Sequence, residues 1–165
     1  MKKTANSNMY EEATDFVWRT FDAHLSGRRA GLWCVVSEKP LGDVARGAIL
    51  SSAAALGFGE DACTFVALAP NDDPAEASAP TSHMDGNDLF TLLEGVDPLR
   101  VVATDTAAAQ ALAAAYGQPA VPGEHGRLFG RDIVAFHRFE DLLDDATHKQ
   151  KAWALLKKLP RLDQN

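Results

Sequence analysis

The sequence predicts an α/β protein: a three-layer α/β/α sandwich around a central four-stranded parallel sheet of order 2-1-3-4. Three observations carry this. Four short apolar runs, at residues 31–37, 63–68, 99–104 and 132–137, are apolar on both faces, as strands covered on two sides must be. Helix-forming stretches separate these runs, so each consecutive pair is joined by a crossover, which is right-handed by strong preference. The runs also end on turn and capping residues. From the first strand, one crossover sets the second strand on one side. A reversal then sets the third and fourth on the other. The crevice between the first and third strands opens at their carboxyl ends, where open α/β sheets bind ligands.

Each element follows from local chemistry. Residues 1–8 carry two lysines with no apolar run behind them and read as a frayed terminus, not a signal peptide. From Met9 to Leu25, Val17, Phe21 and Leu25 fall at i, i+4 and i+8, the pattern of an amphipathic helix that Ser26-Gly27-Arg28-Arg29 ends. Gly31 to Ser37 is the first buried strand, and Ser37-Glu38-Lys39-Pro40-Leu41-Gly42 is the turn after it. Asp43 is placed to cap a helix from Val44 to Leu56, closed by Gly57 and Gly59. Cys63 to Leu68 is the second strand. Residues 70–86 are rich in Pro, Asp, Ala, Ser and Glu without periodicity, and read as a long mobile acidic loop.

Leu89 to Leu93 is a short helix. Leu99 to Thr104 is the third strand. Thr104 and Asp105 open Ala107 to Tyr116, a run of strong helix formers. Gly126–Phe129 and Ile133–Phe136 flank Gly130-Arg131-Asp132, a hairpin-like turn. A last helix runs from about Ala146 to Leu159, and Pro160 stops it. The whole chain, 1–165, reads as one α/β domain with no internal repeat.

Composition sets limits on function. A length of 165 residues supports a core that needs no staples. No apolar run approaches the roughly 20 residues that span a bilayer. Cys34 and Cys63 lie in apolar runs and read as buried free thiols of a reducing, cytoplasmic compartment. Two cysteines cannot hold a four-thiolate iron–sulfur cluster, and the five histidines show no ligand spacing. No metal or cofactor is expected. The net charge of −7 argues against simple non-specific DNA binding. The C-terminal end is nonetheless basic, with Lys149, Lys151, Lys157, Lys158 and Arg161. Those residues read either as a solvated helix end or as a patch for a phosphate or an acidic partner. Trp18, Trp33 and Trp153 read as core residues.

Two positions stand out as chemistry. Glu38 follows the first strand and could orient a water, and the helix N-terminus behind it favours anions. The same segment also reads as an ordinary Pro/Gly turn, and it lacks the glycines of a phosphate loop. His137 ends the fourth strand, where it could donate a hydrogen bond to an oxygen that gains charge, or be satisfied by backbone. No Gly-x-Ser-x-Gly elbow and no paired-carboxylate motif is present.

Taken in order, these segments resemble the uracil-DNA glycosylase superfamily, in particular its iron–sulfur branch. Cys34-Val35-Val36-Ser37-Glu38-Lys39-Pro40 is similar to that family's first strand and its Gly-Glu-Ala-Pro-Gly motif. Asp61-Ala62-Cys63-Thr64 resembles the start of its second strand, and Pro70-Asn71-Asp72-Asp73-Pro74 the loop after it. Asp97 to Ala103 with the helix to Gly117 resembles its third strand–helix unit. Gly130 to His137, Leu142-Leu143 and Lys149 to Leu156 resemble its hairpin, its His-Pro-Ser motif and its last helix.

The resemblance implies catalytic roles for Glu38 and His137, and substrate contacts from Ser37, Pro40, Asp43, Phe65 and Thr104. The departures weigh against catalysis. Phe65 stands where the family's base-reading asparagine falls and cannot pair with a base edge. The cluster cysteines are absent. Pro-Ser after the histidine becomes Arg138-Phe139, and Glu140 and Asp141 bring negative charge to where phosphates would lie. The psi subunit of the bacterial clamp loader serves without catalysis on the same fold, and the C-terminal half here is somewhat similar to it.

The expectation is a non-catalytic interaction or accessory protein in DNA replication or repair, with a protein partner or DNA and no membrane. An active glycosylase of altered specificity using Glu38 and His137 is the alternative. A small-molecule or nucleotide-binding α/β enzyme is the second.

Overall fold

The computed structural model describes residues 5–69 and 83–162. The elements run α1 (Ala5–Thr20), β1 (Leu25–Gly27), β2 (Trp33–Ser37), α2 (Asp43–Ala55), β3 (Cys63–Ala67), α3 (Gly86–Val96), β4 (Arg100–Ala103), α4 (Thr106–Tyr116), β5 (His125–Leu128), β6 (Arg131–Ala135) and α5 (Ala146–Leu156). A 3-10 turn at Asp22–His24 precedes β1, and another at Phe139–Leu143 precedes α5.

The protein is α/β, but its sheet is not four-stranded or wholly parallel. Six strands pair in the order β1-β3-β2-β4-β6-β5. The inner four are parallel: Val35 stands opposite Phe65 and Val102, and Val102 opposite Val134. β1 and β5 add antiparallel edges on β3 and β6. These edges are short and half-exposed, so they lack the double-sided apolar signal of the inner strands.

Alternation along each inner strand builds two cores. Cys34, Val36, Val101, Ala103 and Ile133 face one layer with Val17 of α1, Leu89, Leu92 and Leu93 of α3, and Leu112 of α4. Trp33, Val35, Phe65, Val102 and Val134 face the other, with Ile49 and Ala53 of α2 and Ala152, Leu155 and Leu156 of α5. Cys34 and Cys63 therefore lie on opposite faces as free thiols.

Several sequence expectations are corrected in detail. Residues 5–8, expected to fray, begin α1. That helix stops at Thr20, and Leu25 belongs to β1, because Leu25–Gly27 pairs with Thr64–Val66 on the open edge of β3. Asp43 does not cap α2. Gly42 is the cap residue, without a side-chain bond, and Asp43 is the first helical residue. Of the expected loop 70–86, residues 70–82 lie outside the described residues, and Gly86 already opens α3, capped by the Asp85 carboxylate on the Asp88 N–H.

The β5–β6 turn is Phe129-Gly130, with φ of 48° and 84°, and Asp132 is within β6. Two successive positive φ values match the right-handed twist of a hairpin. Phe129 tolerates one of them while its ring packs edge-on to Tyr116, centroids 5.0 Å apart. Trp33 is fully buried, but Trp153 is 36% exposed and Trp18 is only partly covered.

Candidate functional site

β2, β4 and β6 lie side by side and end together, and the chain leaves β2 and β4 toward opposite edges of the sheet. Their carboxyl ends frame an open cleft of about 570 Å³. Glu38, Lys39, Pro40 and Leu41 line it after β2, Thr104, Asp105, Thr106 and Ala107 after β4, and His137, Arg138 and Glu140 after β6. This is the topological switch point of the sheet, where the fold leaves a crevice.

The frame is tied by backbone bonds across the three strands. The Thr104 N–H and hydroxyl both donate to the Val36 carbonyl, at 2.9 and 3.2 Å. The Phe139 N–H donates to the Thr104 carbonyl at 2.8 Å, and the Thr106 N–H to the His137 carbonyl at 3.1 Å. Asp105 is the central clamp. Its Oδ1 caps α4 on the Ala108 N–H at 2.8 Å, and its Oδ2 accepts the Glu38 N–H at 2.9 Å. The Glu38 carboxylate meets Nε2 of His83 at 3.2 Å.

The sequence-predicted residues separate into two groups. Glu38 and His137 share the cleft, with Pro40 and Thr104 on its wall. Thr104 is buried and spends its hydroxyl on the sheet. Ser37 is 4% exposed; its hydroxyl donates to the Lys39 carbonyl at 2.6 Å, which shapes the turn, and the residue lines the same cavity as Phe65. Asp43 is exposed on the first turn of α2 and does not line the cleft. Phe65 is 5% exposed and lines an adjoining cavity of about 200 Å³, which shares Pro40 and Leu41 with the cleft, and the Arg46 guanidinium is 4.2 Å from its ring centroid.

Three features were not read from the sequence. His83 reaches Glu38 from 45 residues away. Asp105 was legible as a helix cap but not as the clamp on Glu38. Glu140 places its Oε1 3.3 Å from the Gly42 N–H, so a carboxylate of the chain itself stands at the N-terminus of α2. Helix N-termini attract anions, and here the anion is internal.

The electrostatic balance of the cleft follows. Glu38, Asp105 and Glu140 face Lys39 and Arg138, and Arg138 also meets Asp141 at 3.5 Å. Such a wall favours water, hydrogen-bond donors or cations over phosphate. Glu38 can orient a water, and His137 can donate to an oxygen across the same cleft. Among the described residues, no group of three or more His, Cys, Asp or Glu side chains could hold a metal ion. No described helix is long and apolar enough to cross a membrane. The sequence matches no family model and no curated protein. What fold and site define is an α/β protein with a carboxylate-lined cleft at its sheet switch point.

Proposed function

We propose that this chain is a uracil-DNA glycosylase-like protein that has lost base excision and serves as an interaction or accessory protein in DNA replication or repair. The observation that carries this reading is Phe65 itself: its ring is apolar, 5% exposed and covered by the Arg46 guanidinium, in a cavity that adjoins the cleft at Pro40 and Leu41. The position that would read a base edge is apolar. Without that hydrogen-bonding group, selectivity for a base falls by orders of magnitude. Glu140 at Gly42 supports the same reading, since a phosphate approaching α2 meets a carboxylate. It also weighs against a nucleotide-binding enzyme with its anion site at Ser37 to Asp43. The four inner strands are parallel and run in the order β3-β2-β4-β6. The test is uracil release from single- and double-stranded DNA. None is expected, and release that disappears in Glu38→Ala overturns the proposal.

A second reading has its own support, because Glu38 and His137 line one cleft. In an N-glycosidic hydrolysis, Glu38 takes a proton from water as its oxygen bonds to the sugar C1′. The C1′–N bond breaks, its electron pair passes to the base, and His137 donates to the base oxygen that gains charge. Assays of DNA carrying oxidised, deaminated or alkylated bases test this. Release that both Glu38→Ala and His137→Ala abolish would favour it over the first reading.

A further inference from the structure

α5 packs Ala152, Leu155 and Leu156 into the core and leaves a stripe that neither core nor cleft uses. Lys149, Trp153 and Lys157 recur at i, i+4 and i+8, which puts them on one helix face, and all three are exposed. Beyond the helix, Lys158, Leu159, Pro160 and Arg161 turn back beside it. Leu56, Trp153 and these residues enclose a groove of about 420 Å³ with Lys157 at its rim. Among the described residues, no acidic one lines it. The groove lies away from the cleft. Pro160 accepts a bond from Arg100, the first residue of β4, whereas the cleft is at the strands' carboxyl ends.

An exposed tryptophan over an apolar floor, ringed by lysines, is unusual on a chain of net charge −7. Large rings with a polar edge concentrate binding energy at interfaces, and rim charges select the partner. We propose that this groove docks a short acidic peptide segment of a partner protein. One bulky apolar side chain of that segment packs on Trp153, and its carboxylates pair with Lys149, Lys157 and Lys158. This rests on the reading of the chain as an accessory protein and gives the partner's chemistry. A single exposed ring suits one anchor side chain. Single-stranded nucleic acid engages successive bases on successive rings along a basic track, and among the described residues the groove holds one ring.

The experiment follows the three indole N–H signals of the full chain by NMR. The probe is a synthetic peptide of aspartates and glutamates around a Leu-Phe pair. Controls are the same peptide with Gly-Gly in place of Leu-Phe, and oligothymidylate. The Trp153 signal is expected to move while those of Trp18 and Trp33 stay. Affinity is expected to fall about tenfold in Trp153→Ala and again in the Lys157→Glu/Lys158→Glu double variant, and to fall as salt rises. The Gly-Gly peptide is expected to bind more weakly. Unchanged melting temperatures show that the variants fold.

A Trp153 signal that does not move overturns the inference, as does an affinity unchanged in both variants. Oligothymidylate binding more tightly than the peptide at Trp153 also overturns it, in favour of a nucleic-acid surface. Uracil release lost in Glu38→Ala would remove the proposed function while leaving a peptide shift at Trp153 standing, so the two failures are distinguishable.

Discussion

Asp105 holds Glu38 in place through the backbone: its Oδ2 accepts the Glu38 N–H at 2.9 Å while its Oδ1 caps α4. One carboxylate thus joins the ends of β2 and β4 at the mouth of the cleft. Any water or ligand on Glu38 is positioned relative to α4 through this side chain.

Asp105→Ala is expected to cost about 1–2 kcal/mol, the loss of a helix cap plus one hydrogen bond to a backbone donor. Asp105→Asn keeps one acceptor oxygen, enough for one of the two backbone donors, and is expected to cost an intermediate amount. Urea unfolding gives the energies, and the Glu38 amide shift reports the second bond. Equal losses in both variants, with an unmoved Glu38 amide, would remove the clamp.

The thiols predict an alkaline limit. Burial pushes Cys34 from 9.0 up to about 12, helped by the nearby Cys63 and opposed by Arg131. Burial also takes Cys63 to about 12, helped by Asp61 and opposed by Arg46. Between about pH 9 and 12 the unfolded chain gives up protons that the native chain keeps, so stability falls as pH rises. Cys34→Ala is expected to flatten that slope. Neither thiol should react with a disulfide reagent near neutral pH until the chain unfolds. Fast native-state labelling, or an unchanged slope in the variant, would contradict this.

Much of the sheet was legible because its inner strands are apolar on both faces and are joined by helix-containing crossovers, which marks them as parallel. The edges were less so. Leu25 completes the helical spacing of Val17 and Phe21, yet β3 has an open edge that Leu25–Gly27 pairs with instead. Phe129 hid the hairpin turn, since an aromatic residue at positive φ gives no turn signal. For the site, strand ends were enough to bring Glu38 and His137 together. The contacts His83–Glu38 and Glu140–Gly42 were not readable, because each joins segments far apart in sequence. The cover that Arg46 gives the Phe65 ring was not readable either, because it joins α2 to β3.

Gly31 enters β2 against the backbone of β3. A Cβ there would stand 2.5 Å from the Thr64 nitrogen and 2.7 Å from the Ala62 oxygen, neither able to move alone. Gly31→Ala is expected to cost about 3 kcal/mol or to leave the chain insoluble. Gly47→Ala, inside α2 with nothing within 4 Å, is expected to add about 0.5–1 kcal/mol of stability. Thermal unfolding of the pair checks the contrast, and a tolerated Gly31→Ala would mean that β2 and β3 can shift apart.

Arg131 ties the start of β6 to the end of α3. Its guanidinium donates to Glu94 and Asp97, both at 2.7 Å, and to the Pro98 carbonyl at 2.9 Å. The Tyr116 hydroxyl donates to the same Glu94 oxygen at 2.9 Å. Burial alone would raise the Glu94 carboxyl. The bonds from Arg131 and Tyr116, with the Arg131 charge, outweigh it and hold that carboxyl below its ordinary value. A depressed folded pKa gives stability that is present above the unfolded value and lost as pH falls through the folded one. Stability is therefore expected to decline as pH falls through and below the ordinary glutamate range, in part through Glu94. Arg131→Gln keeps donors but no charge and is expected to cost about 1–2 kcal/mol near neutral pH, modest because both carboxylates are partly exposed. It should also make the acid decline shallower, because less Glu94 stabilisation is left to lose. Denaturant unfolding of both proteins across that range separates the cases: parallel curves, offset but of equal slope, would show that Arg131 acts by packing and not through the Glu94 charge.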